Sequence, residues 1–429
     1  MAPVSLEQQS YSMAAPEFLS DPAAAQARSI AVGDVSGDGR DDLVFLSLRT
    51  APNPADMRME IYAAYQRIDG RLDAAVKIAE SGNNLSHELL IADLDRDGAG
   101  DIITTTVDSI MLLRSNADGT FTSSTAVVGD PYEPVVTDVD RDGHLDVLVD
   151  SSNTSATVVH GDGRGGIDRT STLPLPSSAV RTTGDVTGDG LDDLILATIF
   201  NRPLEEFRIY PALASGGYAA PVVLSLPLGS NMTASLAVGD FNADGRGDLA
   251  LDEGKDYANL RLYFQDSQGN LGPSLDIARQ RGGSTNSLIA ADLNRDGRTD
   301  LAIAHSGWGY IGYYLQTDTG LTPENVINAN QYMGRWDYFA TGDLNHDGCG
   351  DLVVSRWSQS PVLVYGQGCA IKRIVAVTCR YETVAVDGSL QAAGLAPQLL
   401  PQRNVDGGAD VGQGVTRDAG SRFARGVYR

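Results

Sequence analysis

The chain has only three cysteines, five histidines and three tryptophans in 429 residues. Three cysteines cannot build a disulfide-held fold, and Cys349, Cys369 and Cys379 all sit late in the sequence. The histidines are dispersed, and there is no zinc motif, phosphate loop or nucleophile elbow. His87 beside Glu88 is the one acid-base neighbour pair, which is a weak basis for catalysis. No run approaches the length of a membrane span. The start, MAPVSLEQQSYSM, has neither a basic segment nor an apolar core, so no secretory signal is expected there. Positive charge is also scarce. The formal net charge of -24 opposes binding to nucleic acid or to an anionic membrane surface.

What is abundant is glycine, 47 residues, with 7% aromatics and no long amphipathic helical stretch, a composition of many short strands and tight turns. One pattern recurs seven times between apolar runs: Asp-x-(Asp/Asn/Ser/Thr)-x-Asp-Gly-x-x-Asp. Successive first aspartates lie 59, 45, 47, 55, 52 and 51 residues apart, which suits one four-stranded blade of about 40 to 50 residues per repeat. In the second unit, HELLIAD, DIITTTV, SIMLLRS and FTSSTAVV read as strands A to D, with NADGT as a hairpin turn. The expected fold is all-β: a seven-bladed β-propeller of four-stranded antiparallel blades over residues 29–380, with an acidic loop in each A-B hairpin.

The acidic loop has the chemistry of a calcium site. A hard divalent cation needs several oxygens converging on one point. Positions 1, 3, 5 and 9 offer side-chain oxygens, position 7 its carbonyl, and glycine at position 6 permits the sharp turn. The seven sets are as follows: Asp34, Ser36, Asp38, Arg40 and Asp42; Asp93, Asp95, Asp97, Ala99 and Asp101; Asp138, Asp140, Asp142, His144 and Asp146; Asp185, Thr187, Asp189, Leu191 and Asp193; Asp240, Asn242, Asp244, Arg246 and Asp248; Asp292, Asn294, Asp296, Arg298 and Asp300; Asp343, Asn345, Asp347, Cys349 and Asp351. An EF-hand is excluded, because position 12 is Phe45 in the first loop and Leu251 in the fifth, inside strands. Loops two and three have four carboxylates each, whereas Ser36 and Thr187 bring only hydroxyls, so loops one and four are expected to bind weakest. Up to seven Ca2+ would bring the charge from -24 to -10, and chelation should destabilise the ring by carboxylate repulsion.

These loops resemble those of FG-GAP and VCBS repeat propellers, a group that includes the integrin α-subunit head, propeller lectins and many secreted bacterial proteins. The resemblance covers residues 29 to 368. The chain departs from the integrin type in lacking a clear Gly-Ala-Pro element and in carrying the loop in all seven units, which brings it closer to the VCBS style.

Alternation of strand direction puts the acidic loops and C-D turns on one face, and the B-C and D-A loops on the other. Trp308, Trp336 and Trp357 all fall on that other face, with Tyr310, Tyr332, Tyr338, Arg335 and Arg356 near the seam of blades six and seven. Aromatic faces beside hydrogen-bonding groups suit a glycan or protein ligand, although aromatics also fill the wedges between blades. Ring closure is assigned to AIKRIVAV, residues 370–377, as strand D of unit seven, with the extension 1–28 as the rival. Cys349 and Cys369 are the expected disulfide, and such a bond points to a secreted, periplasmic or cell-surface protein. Residues 381–429 read as a flexible extension or as a segment that docks an assembly partner. The functional expectation is an extracellular calcium-stabilised binding or adhesion module. A polysaccharide lyase or hydrolase on the same frame, and a scaffold subunit, are the alternatives.

Overall fold

The computed structural model describes residues 11–50, 58–80, 88–129, 131–152, 154–176, 180–197, 206–225, 235–252, 259–280, 284–306, 309–329, 338–355 and 359–369. Seven four-stranded antiparallel sheets make seven blades. In six of them the strands pair in sequence order, A-B-C-D, as in blade 1: Ala27–Gly33, Asp42–Arg49, Arg58–Ala64 and Val76–Glu80. Blade 2 matches its sequence reading closely, with strands Leu89–Ala92, Asp101–Thr105, Ser109–Ser115 and Phe121–Val127. Tight hairpins and acidic loops enforce this order, because each connection is too short to cross a neighbouring strand.

Burial falls from the axis outward. Every residue of strand B is buried in blades 2, 4, 5 and 7 (Asp101–Thr105, Asp193–Ala197, Asp248–Asp252 and Asp351–Ser355), whereas strand D of blade 1, Val76–Glu80, has none buried. The A strands of adjoining blades touch around most of the axis, and that of blade 7, Tyr338–Gly342, meets that of blade 1. Apolar side chains gather in seven separate clusters, each spanning one seam between successive blades. At the seam of blades 4 and 5, Phe207 and Tyr263 meet edge to face, ring centroids 5.3 Å apart. The molecule therefore has no single core. Each wedge must be filled by its own two sheets.

Ring closure departs from the sequence reading. The outer place in blade 7, beside Val362–Val364, is taken by Glu17–Phe18 from the N-terminal extension; residues 370–377, to which the sequence assigned it, lie outside the described residues. A second short pairing joins Ser12–Met13 to Gly366–Gln367. Tyr11 donates its hydroxyl proton to the Gly350 carbonyl at 3.0 Å and stacks edge to face on Tyr313 of blade 6. A short 3-10 turn, Pro22–Gln26, then leads into blade 1, capped by Asp21, whose other oxygen accepts from the Ala75 amide. Blade 7 thus combines both ends of the ring, so blades 1 and 7 cannot part without breaking strand pairing.

Deleting a ring from one wedge should leave a cavity that the stiff sheets cannot collapse. Phe207→Ala is expected to cost about 3–5 kcal/mol in denaturant unfolding, whereas Val223→Ala on the outer strand of the same blade, 45% exposed, should stay within about 0.5 kcal/mol.

Candidate functional site

All seven acidic loops share one unusual backbone. Position 4 has positive φ in every copy (Gly37, Arg96, Arg141, Gly188, Ala243, Arg295, His346), and so does the position 6 glycine. Among the described residues, the five non-glycine residues with positive φ are all at position 4. Each such residue costs on the order of 1–2 kcal/mol. Strain repeated at one place persists only where surrounding contacts over-determine the turn. Those contacts are carboxylate hydrogen bonds. In each loop the position 1 aspartate accepts from the amide of the position 6 glycine, at 2.6–3.1 Å. The position 5 aspartate accepts from the amide of position 7, at 2.8–3.0 Å.

Position 9 does something that a ligand assignment alone misses. Its carboxylate is at most 1% exposed in every copy. One oxygen accepts from the amide of position 2 of its own loop, from Val35 to Asp42 through Leu344 to Asp351, at 2.7–3.1 Å. The other accepts from an amide at the end of strand C: Gln66, Ser115, Gly161, Ala212, Gln265, Gln316 and Gly366, again at 2.7–3.1 Å. Loop, strand B and strand C are thereby tied at one buried atom pair. Burial pushes these carboxyls up against the pull of the amides, to about 6 in Asp42 and Asp248, about 7 in Asp101 and Asp300, and about 8 in Asp351.

The loops also stitch blades together. The Gly100 amide of loop two donates to the Asp34 carbonyl of loop one at 2.6 Å, and Gly350 does the same to Leu293 at 2.8 Å. Gln66 and Gln316 each reach back to the position 1 carbonyl of the preceding blade, Asp343 and Asp240. Across the closing seam, Asp41 of blade 1 accepts from the Asp343 amide of blade 7 at 2.7 Å.

For a cation, the donor set is one of hard oxygens. Side-chain oxygens of Asp93, Asp95 and Asp101, and those of Asp138, Asp140 and Asp142, lie within 4.8 Å of one another. These belong to the two loops with four carboxylates. Elsewhere the position 5 oxygens are engaged by neighbours: Arg40 pairs with Asp38 and Arg246 with Asp244, while the amides of Asn242, Asn294 and Asn345 face Asp244, Asp296 and Asp347 at 2.9–3.2 Å. Cys349 in loop seven is joined to Cys369 by a disulfide with a Cα separation of 5.5 Å.

Of the residues expected to bind a ligand, Tyr310 opens strand C of blade 6 and Tyr338 opens strand A of blade 7, both at the face opposite the acidic loops. Tyr338 packs partly against the wedge of blades 7 and 1. Trp308, Arg335, Trp336, Arg356 and Trp357 lie outside the described residues, as do His87 and the extension 381–429. Glu88 is buried. The sequence reading missed the charges beneath this face. Asp150 and Asp252 lie near the far ends of their B strands, away from the acidic loops; there Arg181 pairs with Asp150 and Arg279 with Asp252, every side chain at most 6% exposed, and the 305–324 imidazole-carboxylate pair is buried in blade 6. Their partners come from other strands or other blades, so no local motif marks them.

Against known proteins, an FG-GAP-like repeat model matches residues 93–149, 185–251 and 292–354. The chain is thus a seven-bladed β-propeller with FG-GAP-like repeats in three places. No curated protein matches it. Among solved structures, a lectin of Agrocybe aegerita that recognises non-reducing terminal N-acetylglucosamine aligns at 15% identity and a TM-score of 0.54, over 79% of this chain and 84% of that one. The WD40 domain of Toxoplasma gondii coronin aligns at 9% identity and a TM-score of 0.53, over 85% and 88%. Both share the propeller fold.

The two kinds of aspartate should separate on mutation. With chelator present, Asp300→Ala strands the Leu293 and Gln316 amides and is expected to cost about 2–4 kcal/mol in denaturant unfolding. Asp296→Ala, on the exposed rim of the same loop, should cost under about 1 kcal/mol. Equal losses would contradict the assignment of position 9 as the node.

Proposed function

We propose that the protein is a secreted, periplasmic or cell-surface binding module, in which cations in the acidic loops brace the ring and the opposite face takes a glycan or protein. The observation that carries this reading is the division of the two faces. The loop face repeats one geometry seven times and spends its carboxylates on its own backbone and on neighbouring blades. The other face has uneven connections, such as 50–57 in blade 1, and buried charged pairs at its strand ends. Such pairs stabilise little relative to apolar replacements, so their presence at one end favours a recognition role. The disulfide favours an oxidising compartment, and no helix among the described residues is long and apolar enough to cross a membrane.

Calcium is the cation that the oxygen donors favour, with positions 1, 3 and 5 of each loop as side-chain ligands, the position 7 carbonyl beside them, and the buried position 9 carboxylate beneath. When bound it supplies charge neutralisation. The aspartates orient one another through the loop amides and keep the arginines at position 7 as competitors in loops one and five. The chemistry predicts a sign for pH. Burial raises the position 9 carboxyls above the ordinary value near 4, so the folded metal-free chain binds more protons than the unfolded one between about pH 4 and pH 8. Stability of the chelated protein should therefore fall as pH rises through that window. Saturating Ca2+, which favours the ionised carboxylates, should raise the melting temperature most at the high end. A melting temperature indifferent to Ca2+ at pH 8 would refute the calcium reading.

Ligand recognition is tested separately. A glycan array that includes terminal N-acetylglucosamine, the sugar recognised by the Agrocybe aegerita lectin, is the first screen. Binding should weaken at least about tenfold in Trp336→Ala and Trp357→Ala, as expected for aromatic anchors. Unaltered binding in both would remove the proposed face.

A further inference from the structure

One loop is unlike the other six. In blade 3 a histidine from strand C (Ser155–Gly161) enters the acidic cluster: His160 Nδ1 stands 3.2 Å from Asp140 Oδ2 and 3.4 Å from Asp146 Oδ2. Its side chain is only 4% exposed. Nε2 is 2.8 Å from the Ser171 hydroxyl, whereas Nδ1, facing two carboxylates, makes no hydrogen bond. In the other blades the corresponding residues, just before the strand C amide that holds the position 9 aspartate, are Tyr65, Arg114, Pro211, Phe264, Leu315 and Tyr365. None of them brings a nitrogen ligand.

We infer that the acidic loop of blade 3 is a site for a borderline divalent cation of the Zn2+ type, held by Asp140, Asp146 and His160. The three ligand atoms lie within 4.8 Å of one another. Two ligands each about 2.0–2.1 Å from a tetrahedral centre stand about 3.3 Å apart, which the two measured edges match. Imidazole with carboxylate suits Zn2+, whereas Ca2+ takes oxygens alone. The supporting shell is already in place. Ser171 fixes the far ring nitrogen, and the Val139 and Gly161 amides fix the two oxygens of Asp146. With Nε2–H donated to Ser171, Nδ1 directs a lone pair at two carboxylates, an arrangement that a cation between them relieves.

Arg169 is the competitor. Its guanidinium reaches Asp140 at 2.6 Å, but it is half-exposed and also pairs with Asp168 at 2.8 Å, so it can withdraw without being stranded. The opposing account is that Arg169 and His160 serve as this loop's own counter-charges. The inference does not depend on calcium in the other six loops.

The test uses the full chain, stripped with chelator and held in saturating Ca2+, with Zn2+ binding followed by equilibrium dialysis and Co2+ as a visible probe. The wild type should retain one equivalent of Zn2+ against Ca2+, and Zn2+ should displace the Co2+ absorption. His160→Gln should weaken Zn2+ by at least about 100-fold, and Ser171→Ala, which removes only an outer partner, by about tenfold. Arg169→Ala should tighten it. If His160→Gln fails to fold, Asp140→Asn, on a partly exposed carboxylate, carries the same expectation. Absence of Zn2+ binding in the wild type, or unchanged affinity in both variants, overturns the proposal in favour of the counter-charge account. The Ca2+-dependent melting shift, measured in parallel, reports the other loops and should persist in His160→Gln.

Discussion

The fold turns on a carboxylate that has been taken out of water. At the ninth position of each acidic loop an aspartate is buried and accepts one amide from its own loop and one from the end of strand C. Without it, both amides would be buried donors with no acceptor, at the point where the chain reverses between strands A and B. The cost of burying the charge appears as raised pKa values. The return is that three strands are held in register by one side chain, seven times over. The left-handed backbone at positions 4 and 6 follows, since only that path brings the loop amides round to the aspartates.

From this node the ring is built by repetition. Each blade is too thin to bury its own apolar faces, so the core is divided into seven wedges, and each wedge depends on the next blade being present. The loop face adds hydrogen bonds between adjoining blades, and the seam is sealed by a strand from the N-terminal extension in the last blade. A face so committed to its own geometry is poorly placed to vary for a ligand. The opposite face is free to do so.

Much of this was legible in the sequence. The nine-residue pattern announces both the turn and the carboxylates that hold it, because the turn's backbone and its hydrogen bonds impose the same residues at the same spacing. The strands of blade 2 were readable because alternation and the NADGT turn agree. The closing strand was not readable. Glu17–Phe18 is two residues long, lies between Pro16 and Pro22, and is recruited by the open edge of Val362–Val364, whereas 370–377 has the stronger strand pattern. His160 was not marked out in the sequence, since its approach to Asp140 and Asp146 depends on which side of the sheet strand C presents. Arg181 and Asp150 come from different blades, and nothing local connects them.

The central claim is that the position 9 carboxylates hold the ring whether or not the loops contain metal. Amide hydrogen exchange at the end of each strand C measures this directly, at Gln66, Ser115, Gly161, Ala212, Gln265, Gln316 and Gly366. The account predicts that these amides stay protected after chelation, while amides at positions 5 to 7 of the loops lose protection. Loss of protection at the strand C amides to the level of the loop amides, on removal of metal alone, would contradict it.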